Sequence, residues 1–175
     1  MIISIPYQHF NVQHIQMAPF LVDKYNRCIA ALTYRDPYIE FKDITLLSHA
    51  MKVLYYNTKT CRLQLDLSDH IAFQLKIYKL YEYLTHLLSV HHEYLSYENI
   101  RHFFYNIIDK SVLSLYIHPN TIVKTRDNVG VPISSLEHGQ FIKCIIRIQG
   151  ISQVCVRNEN RLRLHHSVPS LWLAL

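Results

Sequence analysis

Gln140-Phe141-Ile142-Lys143-Cys144-Ile145-Ile146-Arg147-Ile148-Gln149 is the stretch that decides the fold. Ile142, Cys144, Ile146 and Ile148 recur every second residue, so a strand here has one wholly apolar face. Phe141, Lys143, Ile145, Arg147 and Gln149 make the other, aromatic and basic face. Gly150 ends the predicted strand. Beyond it, Ile151–Arg157 and Arg161–His166 read as two further strands around the turn Asn158-Glu159-Asn160. A three-residue loop pairs Arg157 with Arg161, Cys155 with Arg163 and Gln153 with His165. Alternation then places those six side chains on one face, and Val154, Val156, Leu162 and Leu164 on the other.

Cations directly opposite one another weaken a sheet. A polyanion lying across the face would offset that repulsion, because neutralising phosphates releases counterions. An ordinary solvated face is the other reading of the same residues. Charge along the chain favours the first reading. Of 18 Lys and Arg against 13 Asp and Glu, residues 111–175 hold 7 basic against 3 acidic, while residues 1–110 hold 11 against 10. The carboxyl-terminal part therefore points to an anionic partner.

Working upstream, Val112–Ile117 and Thr121–Thr125 read as strands parted by Pro119-Asn120, and Arg126–Pro132 as a turn region. Before them lies a change of period. Phe73, Ile77, Leu80, Leu84, Leu87 and Leu88 recur at helical spacing, which predicts a helix over about 69–91 with Ser68 or Asp69 as N-cap. A shorter helix runs from Ser96, with Glu98 in its first turn, to about Ile108. The first ~67 residues are β again: Cys28–Tyr34, Tyr38–Lys42, Met51–Tyr56 and Thr60–Leu67. In the last, Cys61, Leu63, Leu65 and Leu67 alternate with Arg62, Gln64 and Asp66, and Asn57-Thr58-Lys59 closes a hairpin. Pro169–Leu175 reads as a short apolar tail.

The 175 residues, half of them hydrophobic, make about one domain with a core of its own. No repeat, linker or membrane-length apolar run interrupts them. Met1–Pro19 lacks the basic segment of a secretory signal. Cys28, Cys61, Cys144 and Cys155 form no C-x-x-C and read as four buried free thiols of a reducing, intracellular compartment.

Catalytic signatures are missing from the sequence. The 12 histidines include His91-His92 and His165-His166, but adjacent residues point apart, and no H-E-x-x-H accompanies them. No paired carboxylates, phosphate loop or G-x-S-x-G occurs, so neither an enzyme nor a cofactor or metal site is expected. Thirteen tyrosines offer something else. Tyr34, Tyr38, Tyr55 and Tyr56 fall near Lys52, Lys59 and Arg62, where exposed rings would serve as stacking platforms for unpaired bases. Half-buried rings bonded through their hydroxyls are the structural alternative.

Val123-Lys124-Thr125-Arg126-Asp127-Asn128, Val131-Pro132-Ile133 and Gly139 through Ile151 resemble the closing strands of the single-stranded-DNA-binding proteins of large eukaryotic DNA viruses. Arg161-Leu162-Arg163-Leu164-His165 would be the final strand. Leu46-Leu47-Ser48, Met51–Tyr55 and Leu63–Leu67 resemble that family's early strand pair. The likeness covers residues 44–67 and 111–166. It lacks an aromatic after Gly150 and a charged tail after the last strand. The resemblance implies an OB-type barrel that coats unpaired DNA during viral replication or recombination, in the host nucleus or a cytoplasmic replication site, with self-association along the strand. A barrel of about five strands carrying a helical insertion also fits the β–α–β order read from the residues.

The expectation is thus an α+β chain, an OB-like antiparallel barrel over residues 1–175 with a helical pair at about 69–108. It would bind single-stranded DNA, or RNA, without catalysis and without a membrane. Lys124, Arg126, Lys143, Arg147, Arg157, Arg161 and Arg163 would neutralise phosphates, with Lys52 and Arg62 beside them. Phe141, Tyr55 and Tyr56 would stack bases. The rival reading is a viral structural or assembly subunit whose basic face meets an acidic partner.

Overall fold

The computed structural model describes residues 4–91, 96–157 and 159–174. In chain order its strands are β1 (Ile5–Pro6), β2 (Ile15–Val22), β3 (Cys28–Arg35), β4 (Glu40–Phe41), β5 (Ile44–Leu47), β6 (Met51–Asn57), β7 (Arg62–Asp66), β8 (Phe104–Tyr105), β9 (Ile108–Asp109), β10 (Val112–Tyr116), β11 (Ile122–Lys124), β12 (Gly130–Pro132), β13 (Phe141–Val156) and β14 (Glu159–Ala174). Helices α1 (Ile71–His91) and α2 (Tyr97–Phe103) fall between β7 and β8. The result is an α+β chain built on one large, open, mostly antiparallel sheet.

β13 is the spine. One edge pairs with β14 along nearly its whole length. The other edge takes β6 at Phe141–Ile142, β5 at Ile145–Ile148 and β3 at Gly150–Gln153 in succession. From β6 the sheet continues through β7 to β10 and β9, and from β14 through β11 to β12. The inward face of the deciding stretch is as expected, with Ile142, Cys144, Ile146 and Ile148 all buried, but Ile145, expected on the outer face, is buried as well, beside a register shift between Ile145 and Arg147. The alternation of β7 holds, with Leu63 and Leu65 fully buried. β6 and β7 form the expected hairpin, and Asn57 Oδ1 accepts from the amides of Lys59 and Thr60 to set the turn.

Several expectations need correction. Gly150 does not end the strand. A Cβ there would lie 2.4 Å from the carbonyl oxygen of Ala30, so glycine lets β3 close on the spine. A bulge between Ile148 and Gly150 shifts the phase by one residue, which keeps both Ile148 and Ile151 in the core. Only positions 157 and 158 separate the last two strands, because Val156 pairs with Glu159. The register is thus Val154 with Arg161, Ser152 with Arg163 and Gly150 with His165, and Arg157, at φ +50°, belongs to the turn. This offset of three residues, an odd number, moves Gln153 and Cys155 to the face opposite Arg161 and Arg163. The apolar tail is also strand: Ala174, Leu173 and Trp172 pair with Phe141, Ile142 and Lys143.

The second helix stops at Phe103 rather than near 108, and the chain turns into the short β8 and β9. Its predicted cap is present: Ser96 Oγ accepts from the amide of Asn99. Ser68 caps nothing in α1, since its amide and hydroxyl go to Asp66. Phe73, Ile77, Leu80, Leu84 and Leu88 bury the predicted stripe, joined by Tyr81, whose hydroxyl donates to Tyr105 O and accepts from the amide of Ile107. Of the four thiols only Cys144 is buried; Cys155 is exposed, and Cys28 and Cys61 are intermediate. No helix among the described residues is long and apolar enough to cross a membrane.

Candidate nucleic-acid interface

Alternation fixes which way each candidate side chain points. Arg62 alternates with the buried Leu63 and stands between Asn57 and Tyr116 on the outer face. Arg163 alternates with the buried Leu164 and stands between Ser152 and Tyr105. Curvature of the sheet brings these two rows together. Arg62, Tyr116 and Arg163 line two adjoining clefts of about 680 and 530 Å³. Tyr55 and Gln64 complete the smaller; Tyr105, Ser152, His165 and His166 help to line the larger. Among the described residues no carboxylate lines either cleft.

The floor of this groove is tied by one bond. The backbone N–H of Tyr116 donates to His166 Nε2 at 3.1 Å, and His166 Nδ1 lies 3.1 Å from Leu164 O. The ring must therefore carry its proton on Nδ1. No ladder joins β10 to β14 among the described residues. Burial holds His166 and His165 below the ordinary histidine pKa, so neither adds charge at neutral pH. The fixed charge of the groove is carried by arginine. Arg163 leans over Tyr105, its Cζ 5.9 Å from the ring centroid. Arg27 also lines the larger cleft but is engaged by Asp23 at 2.6 Å.

The other predicted residues divide. Tyr55 is 56 % exposed on the groove side. Tyr56 turns the other way, pairs with the buried Leu63 and donates its hydroxyl to Ile117 O, so its ring packs on the core instead of facing the groove. Arg147 is not a free cation: its Nε lies 3.4 Å from Asp43 Oδ2, a charge contact without hydrogen-bond geometry. Arg161 meets Glu159 at 3.3 Å. Arg126 and Arg157 are exposed in turns at opposite ends of the late sheet. Lys143 and Lys124 flank Trp172 on neighbouring strands, and Phe141 pairs with Lys52.

Sequence reasoning missed Tyr105, Tyr116 and Trp172. Tyr116 was within reach, because Leu113, Leu115 and Ile117 form an inward stripe that leaves Ser114 and Tyr116 outside. Nothing local in the sequence brings β10 against β14. Among the described residues no group of three or more His, Cys, Asp or Glu comes together that could hold a metal ion. No protein-family model matches this chain, and no curated protein is similar to it.

Proposed function

We propose that this chain binds single-stranded DNA, without catalysis, in the groove between β7–β10 and β14. One observation carries the reading: Arg62 and Arg163, without ion-pair partners among the described residues, meet beside Tyr55, Tyr105 and Tyr116 in a trough that no described carboxylate lines. Guanidinium groups fork onto phosphates, and tyrosine faces stack on unpaired bases at roughly 1–3 kcal/mol each. A duplex hides its base faces and gains nothing from the rings.

Strand order supports an OB-like reading. β6, β7, β10, β13 and β14 follow one another in the chain, and the Tyr116–His166 bond brings the ends of that circuit together. In such barrels the second and third strands and the loops after the first and fourth form the binding face. Here those are β7, β10, the turn before Arg62 and the turn at Arg157. The choice of DNA over RNA, and a role in coating unpaired viral DNA in a reducing replication compartment, come from the sequence resemblance. A protein-assembly role draws on a different surface, the β2–β3 hairpin, where Leu21, Val22 and Tyr25 are exposed by 65–69 %.

Titration of labelled oligo-dT and of duplex DNA over a salt series decides between them. The groove predicts tight binding to the single strand that weakens steeply with salt. A flat or absent response would leave the assembly role.

A further inference from the structure

Trp172 is the chain's single tryptophan, and it faces away from the core. Its neighbour Leu171 is fully buried between Cys144 and Val123, so Trp172 points to the opposite side. There it stands in a row across three strands: Lys124 on β11, Trp172 on β14, Lys143 on β13. Both lysines are exposed, and the indole is intermediate. Phe141, 40 % exposed, follows Lys143 on the same face and pairs across to Lys52 on β6, the strand that carries Tyr55.

The indole engages no hydrogen bond, ring stack or cation–ring contact among the described residues, and its intermediate burial leaves part of the ring open to solvent. Lysine stems covering an apolar ring would account for the lysines alone. They would not account for a second exposed aromatic, Phe141, in the next row, nor for the continuity of the row with Tyr55 at the groove. Asp66, the carboxylate that pairs with Lys52 on this face, is held by Ser68.

We infer that Trp172, between Lys124 and Lys143, is a second stacking subsite, onto which an unpaired strand longer than the groove runs by way of Phe141. The inference rests on the single-strand reading above and adds a requirement for length. Groove and subsite together take a longer strand than the groove alone, within the range of about 4–16 nucleotides known for one OB fold.

Fluorescence of the lone tryptophan reads this directly in the full chain. Oligo-dT of about 5 nucleotides should bind without changing the emission, and oligo-dT of about 16 should quench it. Trp172→Ala should leave the affinity for the short oligonucleotide unchanged and weaken the long one roughly tenfold, the loss of about one base stack. Lys124→Glu and Lys143→Glu should weaken the long one selectively. Binding of the long strand without quenching, or equal affinity of Trp172→Ala and parent for it, would overturn the subsite and leave the groove standing. Failure of both lengths to bind the parent would overturn both.

Discussion

His166 accepts a hydrogen bond from the backbone N–H of Tyr116 at 3.1 Å, and this imidazole links β10 to β14 where, among the described residues, no ladder does. A protonated ring has no lone pair to offer, so acid breaks the link. Burial holds His166 below the ordinary histidine value, as it does His165. His49 is pushed down to about 4 by burial and by the charge of His70, whose ring centroid lies 3.6 Å away. All three prefer the neutral form in the folded state. Their contribution is complete above the unfolded value of 6.5 and is lost as pH falls below it. Urea midpoints should therefore decline between pH 7 and pH 5. His166→Gln, whose side-chain oxygen can still accept from Tyr116, should flatten that decline. An unchanged slope would mean the titration lies elsewhere.

Arg62 and Arg163 should behave differently from Arg147. Replacing the first two with Glu should weaken oligo-dT binding well over tenfold and lower the salt slope by about 1.4, near 0.7 for each lost phosphate contact on a single strand. Arg147→Ala removes the ion pair with Asp43 instead. It should reduce stability by about 0.5–1 kcal/mol and leave affinity within about twofold of the parent. Anisotropy titration and urea melts on the same preparations separate the two effects. A binding defect in Arg147→Ala with normal stability would put the anion on a different part of the sheet.

Gly150→Ala tests the spine. The added methyl meets the Ala30 carbonyl oxygen at 2.4 Å and Ile29 Cγ2 at 2.9 Å. Backbone cannot yield cheaply, so the loss should be about 1–3 kcal/mol with protection from hydrogen exchange falling in β3. A neutral outcome would show that β3 can shift away from β13.

Thiol chemistry should be selective. Cys144 is buried, bonded to Ser48 and pushed up to about 12 by desolvation; Cys155 is exposed. A thiol reagent at pH 8 should label Cys155 at once and Cys144 only on unfolding. Mass spectrometry of the labelled peptides checks it.

Much of the sheet was legible because local alternation encodes it. Leu63 and Leu65, Leu113 and Leu115, and Ile142, Ile146 and Ile148 of β13 declare their inward face without help from the rest of the chain. What could not be read depends on single residues that change phase. Gln149 and Gly150 absorb a bulge, and the pairing of Val156 with Glu159 leaves two positions between the strands where Asn158-Glu159-Asn160 suggested three. Each error of that kind inverts faces, so the arginines were gathered with the wrong neighbours. Trp172 was lost because Leu171-Trp172-Leu173 reads as an apolar tail until Cys144 and Lys143 are seen opposite it. The groove was the least legible of all: Arg62 and Arg163 were both candidates, but only sheet curvature unites them.

The arrangement of β13 also governs how this chain can be made. β3, β5 and β6 all border β13, which is synthesised long after them. Until it leaves the ribosome, those three strands present open edges, and edges of that kind invite pairing with other chains. Pairing across such long sequence separations makes the late zipping slow. The nascent protein is therefore most at risk of aggregation just before the β13–β14 ribbon emerges, and cellular holdases should matter most in that interval.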